Sequence, residues 1–228
     1  MIPSDGGPLV FVDNVDHPVI GADDYHHLAR VRRVRDGNHI IVCDGRGRWA
    51  TARFAGETPE LDGEVQLSQR TSLSLSVAFA LAKGEKPEMA VQKLTELGID
   101  RIRPFVAARS VVRWDAAKIE QARLRLNKVA REAAMQSRSA WIPDVDAVTT
   151  FAEVVADPQA CLADRGGAPP TLDRPLILVG PEGGWDFDEQ AVDLPTVSLG
   201  DGVLRAETAA IAAGVLLSAL RSGRANPG

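Results

Sequence analysis

The sequence predicts an α/β fold in two parts: a small unit of short strands, then a larger unit built on a mostly parallel sheet. In the larger part, strand-like aliphatic runs alternate with amphipathic helical patterns, which is typical of strands covered by helices on both faces. In the smaller part, short apolar runs flank a turn signal at residues 44–47. We predict domains at residues 1–72 and 73–228, joined by a short polar segment at 68–74.

Composition indicates an ordinary globular protein. The 228 residues are 45% hydrophobic and 25% charged, which is enough apolar material for a proper core. No apolar run is long enough to cross a membrane, and the first twenty residues carry Asp5, Asp13 and Asp16 instead of a basic region followed by an apolar one. We therefore expect a cytoplasmic protein.

No metal site is expected. The two cysteines, Cys43 and Cys161, lack metal-binding spacing and lie in apolar runs, which favours buried free thiols. His26 and His27 have no cysteine or carboxylate at ligand spacing, so we interpret them as helix surface.

The charge distribution is uneven although the net charge is −5. Residues 30–53 contain seven Arg against two Asp, a local charge of +5, and residues 101–138 contain ten Lys or Arg against three acidic residues, a local charge of +7. Two basic blocks on an acidic chain indicate local binding surfaces for a polyanion. Two solvated protein surfaces would give the same pattern.

The first unit is predicted to form a small β-barrel with one helix. We expect strands at residues 9–12, 39–43, 49–54 and 64–70 and a helix at 22–34. The apolar stripe of that helix comprises Tyr25, Leu28, Val31 and Val34. Three arginines lie off the stripe and would face solvent or a partner: Arg30, Arg32 and Arg33.

The second unit is predicted to alternate strand and helix. The strands are expected at residues 75–81, 101–107, 144–148, 159–162, 176–179 and 195–199. One helix is bracketed by Pro87 and Gly98, and a long one begins at Asp115 and is stopped by Pro143. A basic face on the long helix comprises Lys128, Arg131 and Arg138. A shorter helix is capped by Thr149 or Thr150, and residues 164–175 are expected to be a loop.

Two glycine-rich loops follow strands near the C-terminal end. The first glycine loop, residues 180–184, follows the strand 176–179, and a capping box of Asp186 and Glu189 follows it. The second glycine loop, residues 200–202, precedes a helix that runs from about Leu204 to Leu220. Because parallel sheets bind ligands at the carboxyl ends of their strands, the loops suggest one shared pocket. There is no GxxxxGK[ST], and Glu182 disfavours a phosphate; the alternative is that the glycines only make tight turns.

These loops carry a family resemblance. The C-terminal motifs, GPEGG at residues 180–184, Leu199-Gly200, Leu204-Arg205 and Glu207-Thr208-Ala209, resemble those of the small-subunit ribosomal RNA uracil-N3 methyltransferases, a SPOUT-class family. The upstream matches follow in the family's order: Lys83-Gly84, Gln92-Lys93, Glu96-Leu97-Gly98, Arg109-Ser110, Glu132-Ala133 and Gln136-Ser137-Arg138. Three positions depart from the family's usual residues: Gly202 for Arg, Ala206 for Thr and Trp185 for Phe.

The resemblance implies a fold and a reaction. It implies a PUA-like RNA-binding domain, then a SPOUT-type parallel sheet with a C-terminal trefoil knot. It also implies a homodimer that uses S-adenosyl-L-methionine to methylate uracil N3 in 16S ribosomal RNA, with the 30S subunit as the expected setting. The Ala and Leu face of residues 209–220 is a candidate for the dimer contact or for core packing.

The resemblance also implies roles for individual residues. The cofactor-binding set is Leu178, Gly180, Glu182, Gly183, Gly184, Leu199, Gly200, Val203 and Leu204, where Leu178, Val203 and Leu204 form apolar walls. Arg205 would stabilise charge on the uracil oxygens or, alternatively, form a salt bridge to Glu207 or Glu182. Glu207 would act as a base or complement the helix dipole. The RNA-binding set is Arg30, Arg32, Arg33, Arg109, Arg131 and Arg138.

Two alternatives accompany this interpretation. A noncatalytic RNA-binding protein with a decayed cofactor pocket is suggested only by Gly202 and Ala206. An α/β enzyme acting on a nucleotide or phosphate substrate is disfavoured by the missing phosphate-binding motif.

Overall fold

The structure is a computed structural model that describes residues 2–3, 5–110 and 115–225. The chain divides into two compact units. The first comprises Met1–Ser72 together with Glu132–Ile142, and the second comprises Leu73–Arg131 and Pro143–Gly228. A sequence segment far along the chain therefore completes the first unit.

The first unit is a five-stranded sheet. Its strands are β1 (Leu9–Phe11), β2 (His39–Cys43), β3 (Arg48–Arg53), β4 (Glu60–Leu61) and β5 (Gln66–Leu67). The order is β1-β2-β3-β4, with β5 also pairing β3; β1 runs parallel to β2, and the other pairs are antiparallel. The predicted hairpin around residues 44–47 is thus confirmed. The strand expected at 64–70 is shorter than predicted, and within the described residues β1 pairs only with β2.

The helix expected at residues 22–34 is interrupted. An α-helix, α1 (Ala22–His26), passes directly into a π-helical segment, His27–Val31. The wider π turn changes the angle between successive side chains, so the predicted apolar stripe does not stay on one face. Leu28 is buried, whereas Val31 is 62% exposed. The three off-stripe arginines of this stretch lie at least partly exposed, as expected.

Among the described residues, two clusters of buried side chains contribute to the core of the first unit. One lies beneath β2 and β3 and includes Val10, Ile40 and Phe54. The other receives Ala134 and Ala140 from the late segment Glu132–Ile142. The late segment is therefore an integral part of this unit.

The second unit is a seven-stranded sheet whose described pairings are all parallel. Its strands are β6 (Ser76–Ala80), β7 (Arg101–Val106), β8 (Asp144–Val145), β9 (Thr149–Thr150), β10 (Ala160–Ala168), β11 (Leu176–Val179) and β12 (Thr196–Val197). The order is β12-β10-β11-β6-β7-β8, and β9 also pairs β7. The predicted parallel α/β sheet is confirmed; the C-terminal knot stays a prediction.

Five helices accompany this sheet in the described residues: α2 (Lys86–Glu96), α3 (Ala116–Gln136), α4 (Phe151–Val155), α5 (Phe187–Gln190) and α6 (Ala206–Arg221). Helices α2 and α6 pack against each other at Gly214, where a Cβ atom would come within 2.6 Å of Leu94. Ala210, Ala213 and Leu217 are buried on the same helix. Part of the Ala and Leu face of α6 is therefore used for intrachain packing, while Ala209, Ala212, Leu216, Ala219 and Leu220 remain partly exposed.

Two helix starts follow the predicted capping chemistry. The Asp115 carboxylate accepts a hydrogen bond from the Lys118 amide at 2.9 Å, and Thr150 forms a reciprocal capping box with Glu153 at the start of α4. The predicted end of α3 was wrong. The helix ends at Gln136, well before Pro143, because Arg138 turns into the left-handed region with φ of 59°.

Strand β10 is longer than predicted. Residues 164–168 were expected to begin a loop, yet they extend the strand to Ala168. A Cβ atom at Gly167 would lie 2.4 Å from the Val197 amide nitrogen, so the missing side chain lets β12 approach here. Gly167 therefore allows β10 and β12 to pair at this position.

Both cysteines are buried and free, as predicted. Burial raises the pKa of each thiol to about 11. In the part of the chain that the structure describes, no helix has both the length and the apolar character to cross a membrane.

Candidate functional site

The two glycine loops border one cavity of about 240 Å³ in the second unit. The residues of the loops and adjoining helix that line it are Gly180, Pro181, Glu182, Gly184, Trp185, Gln190, Leu199, Gly200, Gly202, Val203, Leu204, Ala206 and Ala209. The remaining lining residues are Ala163, Asp164, Arg165 and Val179. The shared pocket expected from the sequence is therefore present.

Strand β10 contributes a wall that the sequence did not reveal. The loops follow β11 and β12, which are not neighbours in the sheet, because β10 lies between them. Asp164 and Arg165 therefore line the cavity, and the Arg165 guanidinium donates a hydrogen bond to the Asp201 carbonyl at 3.4 Å. These residues were missed because their Gly- and Pro-containing surroundings are typical of a loop.

Trp185 forms the floor beside the first glycine loop. Its ring stacks on Phe105 with centroids 6.2 Å apart, and its indole NH donates to the Ala163 carbonyl at 3.0 Å. A Cβ atom at Gly180 would lie 2.9 Å from this ring. Glycine is required at 180 because the indole occupies the space of a side chain.

Leu178 is not among the residues that line the cavity, and its place in the apolar wall stays a prediction. Successive side chains of a strand point to opposite faces, and Leu178 is fully buried with Phe105 and Trp185 in the core. The neighbouring Val179 lines the cavity instead.

Arg109 supports the first glycine loop from outside the cavity. Its Nε atom lies 3.1 Å from an Asp186 carboxylate oxygen, and its Nη1 atom donates to the Gly183 carbonyl at 3.3 Å. Gly183 is not a lining residue; a Cβ atom there would contact Arg109 at 3.5 Å. The Arg109 guanidinium is therefore engaged in local structural contacts with Asp186 and Gly183.

The buried carboxylate of Glu189 fastens the same loop to the segment after β7. It accepts a hydrogen bond from the Ala108 amide at 2.7 Å and another from the Asp186 amide at 2.9 Å. The second bond belongs to the capping box of α5 that the sequence predicted. The cavity wall thus depends on a side-chain carboxylate that accepts a hydrogen bond from the backbone of a distant segment.

A cluster of charged groups lies where α2, the first glycine loop and α6 meet. The Lys86 ammonium group hydrogen-bonds the Glu182 carboxylate and lies 3.7 Å from the Glu207 carboxylate. The hydrogen bond raises the pKa of Lys86 and lowers the pKa of Glu182. Glu207 lines a separate small cavity with Lys86 rather than the main one. Lys86 was missed because its partners lie about a hundred residues along the chain.

Arg205 lies at the start of α6, between lining residues Leu204 and Ala206, but is not itself a lining residue. Its side chain is exposed. Among the described residues, its guanidinium forms no hydrogen bond or ion pair, so the alternative salt bridge to Glu182 or Glu207 is not formed. Five donors are available to a bound group.

The cations of the first basic block are mostly unpaired. Within the described residues, Arg48 pairs with Asp16 and Arg53 with Asp62. The other five arginines of the block make no ion pair with a described residue: Arg30, Arg32, Arg33, Arg35 and Arg46. This leaves a basic surface on the first unit.

Many cations of the second basic block have acidic partners. Six are paired in the second unit: Arg101, Arg103, Arg109, Lys118, Arg123 and Arg125. Arg131 lies half-buried on α3. Arg138 was wrongly placed on that helix; it follows the helix, and its guanidinium donates to the carbonyls of Gly7, at 2.7 Å, and Pro3. Local charge alone therefore overstated this surface.

Metal ligation has no geometric support among the described residues, where no three His, Cys, Asp or Glu side chains are grouped to hold an ion. His26 and His27 are exposed.

Two family profiles match most of the chain. The RNA methyltransferase domain matches residues 69–218, and the RNA methyltransferase PUA domain matches residues 20–61. Together they cover much of both units and both glycine loops.

Curated relatives and solved structures agree with these profiles. Ribosomal RNA small subunit methyltransferase E of Mycobacterium bovis is 34% identical, with 88% of this chain and 87% of the relative covered. The Bacillus subtilis protein of the same name is 31% identical, covering 83% and 85%. A crystal structure of the Neisseria gonorrhoeae protein of that name, bound to S-adenosyl methionine, superposes with a TM-score of 0.78 at 25% identity, covering 94% of this chain and 98% of the other.

The sequence motifs, the parallel sheet and the small N-terminal domain all agree with these matches. The resemblance inferred from the motifs is thereby confirmed. The chain belongs to the RNA methyltransferase family whose members join a PUA domain to a methyltransferase domain.

Proposed function

We propose that this protein transfers a methyl group from S-adenosyl-L-methionine to N3 of a uracil in 16S ribosomal RNA. The observation that carries the proposal is the cavity bordered by both glycine loops and the start of α6, in a chain of the RNA methyltransferase family. The name of the relatives supports small-subunit ribosomal RNA as the substrate. The cytoplasm is the location that this substrate implies.

The cavity fits the cofactor by the character of its lining. Val179, Leu199 and Leu204 offer apolar surface for a flat adenine ring, and the glycine loops offer backbone groups that can approach closely. The carboxylates of Asp164 and Glu182 lie on the border. These carboxylates can attract a cationic ligand, and the Arg165 guanidinium, which also lines the cavity, adds a positive charge to the same border.

We assign the cofactor contacts to the loops. The backbone of residues 199–204 would recognise adenine, while Gly180 and Gly184 would admit the ribose and methionine parts. Asp164 joins this set as a carboxylate within the lining. When bound, the cofactor supplies an electrophilic methyl carbon on a sulfonium.

The chain's own residues must position the uracil and manage charge. The N3 proton has to leave before N3 can attack, and negative charge then develops on the uracil oxygens. We assign Arg205 to these oxygens because its exposed guanidinium has no ion pair among the described residues and presents several N–H donors in a planar fork. Glu207, beside Lys86, complements the N-terminal dipole of α6; the base that removes the proton is not assigned.

We further propose that the first unit grips RNA through Arg30, Arg32 and Arg33. Their side chains are accessible and make no ion pair with a described residue. The partner proposals are the 30S subunit as the assembled substrate and a homodimer as the active form. The exposed apolar side chains of Phe187 and Val203 support a further contact near the cavity.

A methyl-transfer assay tests the function. Purified protein is incubated with labelled cofactor and with 30S particles that lack the modification, and digested RNA is searched for N3-methyluridine by mass spectrometry. We expect label in 16S RNA, more from particles than from naked RNA. Failure to label, while an authentic family member labels the same particles, would contradict the proposal.

The alternative, a noncatalytic RNA-binding protein, requires a pocket that no longer binds the cofactor. Calorimetric titration separates the two. Saturable heat on titration with the cofactor supports the enzyme. A protein that binds RNA but gives no saturable heat with the cofactor supports the alternative. Sedimentation velocity over a range of concentrations tests the homodimer, and a monomer at every concentration would contradict it.

A further inference from the structure

We infer that Lys86 is a positioning residue that holds the first glycine loop in its cofactor-binding shape through Glu182. This inference rests on the proposed function and deepens it, because it adds a residue outside the cavity to the machinery that binds the cofactor.

Glu182 is the side chain through which the loop can be held. It occupies the middle of the first glycine loop and lines the cavity, and its side chain is about half exposed. A loop of glycines has little intrinsic preference for one backbone shape, because glycine has more accessible conformations than any other residue. Contacts from elsewhere must therefore select the shape seen here.

Lys86 supplies such a contact from the first turn of α2. Its ammonium group hydrogen-bonds the Glu182 carboxylate, and α2 is itself buried through Pro87, Ala90 and Val91. The flexible Lys86 side chain therefore extends from a helix that is held in place by its buried residues. The contact joins residues 96 positions apart.

Glu207 fixes the other side of the ammonium group. One of its carboxylate oxygens lies 3.7 Å from Lys86 Nζ, and that oxygen is buried and accepts no hydrogen bond from a described residue. A buried carboxylate oxygen without a hydrogen bond is costly unless a cation lies nearby. Glu207 therefore keeps Lys86 near α6 while Lys86 holds Glu182.

The arrangement also changes the charge that the cavity presents. Glu182 is paired with a cation, so its carboxylate is oriented by Lys86 before any ligand enters. Arg109 and Glu189 hold residues 183–186 from the other end of the loop. The loop is thus preorganised at both ends, and preorganisation lowers the free energy cost of binding.

The test measures cofactor affinity by calorimetry in wild type and in Lys86→Met, Lys86→Arg and Glu182→Gln. We expect Lys86→Met to raise the cofactor Kd about tenfold, which equals about 1.4 kcal/mol, and Lys86→Arg to restore most of the affinity. The KM for RNA should stay within about twofold. A purely structural role would instead shift the melting temperature and both constants together.

Lys93→Met is the matched control. Lys93 lies on the same helix and pairs with Glu96, so the control removes the same charge and one ion pair without touching the loop. The double variant Lys86→Met/Glu182→Gln should lose less affinity than the sum of the two single losses, because both changes break the same hydrogen bond.

The outcomes are distinct. Unchanged cofactor affinity in Lys86→Met, with wild-type binding intact, overturns the inference and leaves the proposed function standing; additive effects in the double variant do the same. If the wild-type protein does not bind the cofactor, both the inference and the proposed function are contradicted. If Lys86→Met does not fold, Lys86→Gln takes its place: wild-type cofactor affinity in Lys86→Gln overturns the inference, and a tenfold rise in its Kd supports it.

Discussion

The indole NH of Trp185 donates a hydrogen bond to the Ala163 carbonyl at 3.0 Å. This bond joins the segment after the first glycine loop to the strand that lies between β11 and β12. The indole also stacks on Phe105 and packs on Gly180. One aromatic side chain therefore sets the distance between two walls of the cavity.

Replacing Trp185 by Phe should be tolerated, since Phe is the usual family residue here. We expect the free energy of unfolding to fall by about 1 kcal/mol, because the indole hydrogen bond is removed. Trp185→Ala should cost about 3–5 kcal/mol because it leaves a cavity. Urea denaturation measures both, with the exposed Leu124→Ala as a control. Equal losses of stability in Trp185→Phe and Trp185→Ala would contradict the packing role.

Arg205→Ala should separate turnover from cofactor binding. We expect kcat to fall by about 10²–10³-fold, the range for removal of one oxyanion donor, and the cofactor Kd to change by less than about threefold. Single-turnover assays and calorimetry give the two values. If both change by the same factor, Arg205 contributes to cofactor binding and not to charge stabilisation.

The three accessible arginines of the first unit should govern the salt dependence of RNA binding. Replacing Arg30, Arg32 and Arg33 by Ala should reduce the magnitude of the slope of log K for RNA binding against log salt concentration by about 2. Each phosphate that a cation neutralises contributes roughly 0.7–0.9 to that magnitude. Fluorescence anisotropy with a 16S RNA fragment measures the slope. The paired residues Arg48 and Arg53 provide the control double variant. An equal decrease in the control would argue against a specific surface.

Glu153 should make stability depend on pH. A hydrogen bond from Thr149 contributes most, and hydrogen bonds from Thr150 contribute next, to lowering the pKa of Glu153 to about 2. A lowered pKa in the folded state stabilises the fold above the ordinary value of 4.5, and this contribution disappears as the pH falls towards 2. We expect Glu153→Gln to melt at a lower temperature than wild type at pH 7, with the difference narrowing below about pH 4.5. A constant difference across this range would contradict the assignment.

Local patterns predicted much of the fold. Strand β2 at His39–Cys43 and strand β11 at Leu176–Val179 have the predicted bounds, because short apolar runs between turn residues leave few other options. The caps at Asp115 and Thr150 were also predictable, since each depends on residues three positions apart. Both glycine loops were placed correctly at strand ends.

The errors arose where distant segments decide the structure. Gly166 and Gly167 of β10 were interpreted as part of a loop, but the absence of a side chain at Gly167 admits β12. Lys86 has no distinctive neighbours in sequence, and only folding brings it to Glu182. Arg101, Arg103 and Arg125 find acidic partners at remote positions, which a count of local charge does not reveal.

The position of β10 between β11 and β12 has a kinetic consequence. Parallel pairing joins segments distant in sequence and is slow to form, and neither loop faces the other until all three strands have taken their places. Partly folded chains should thus lack affinity for the small ligand even when their helices are complete. Ligand-induced fluorescence change during refolding would then report the final assembly step.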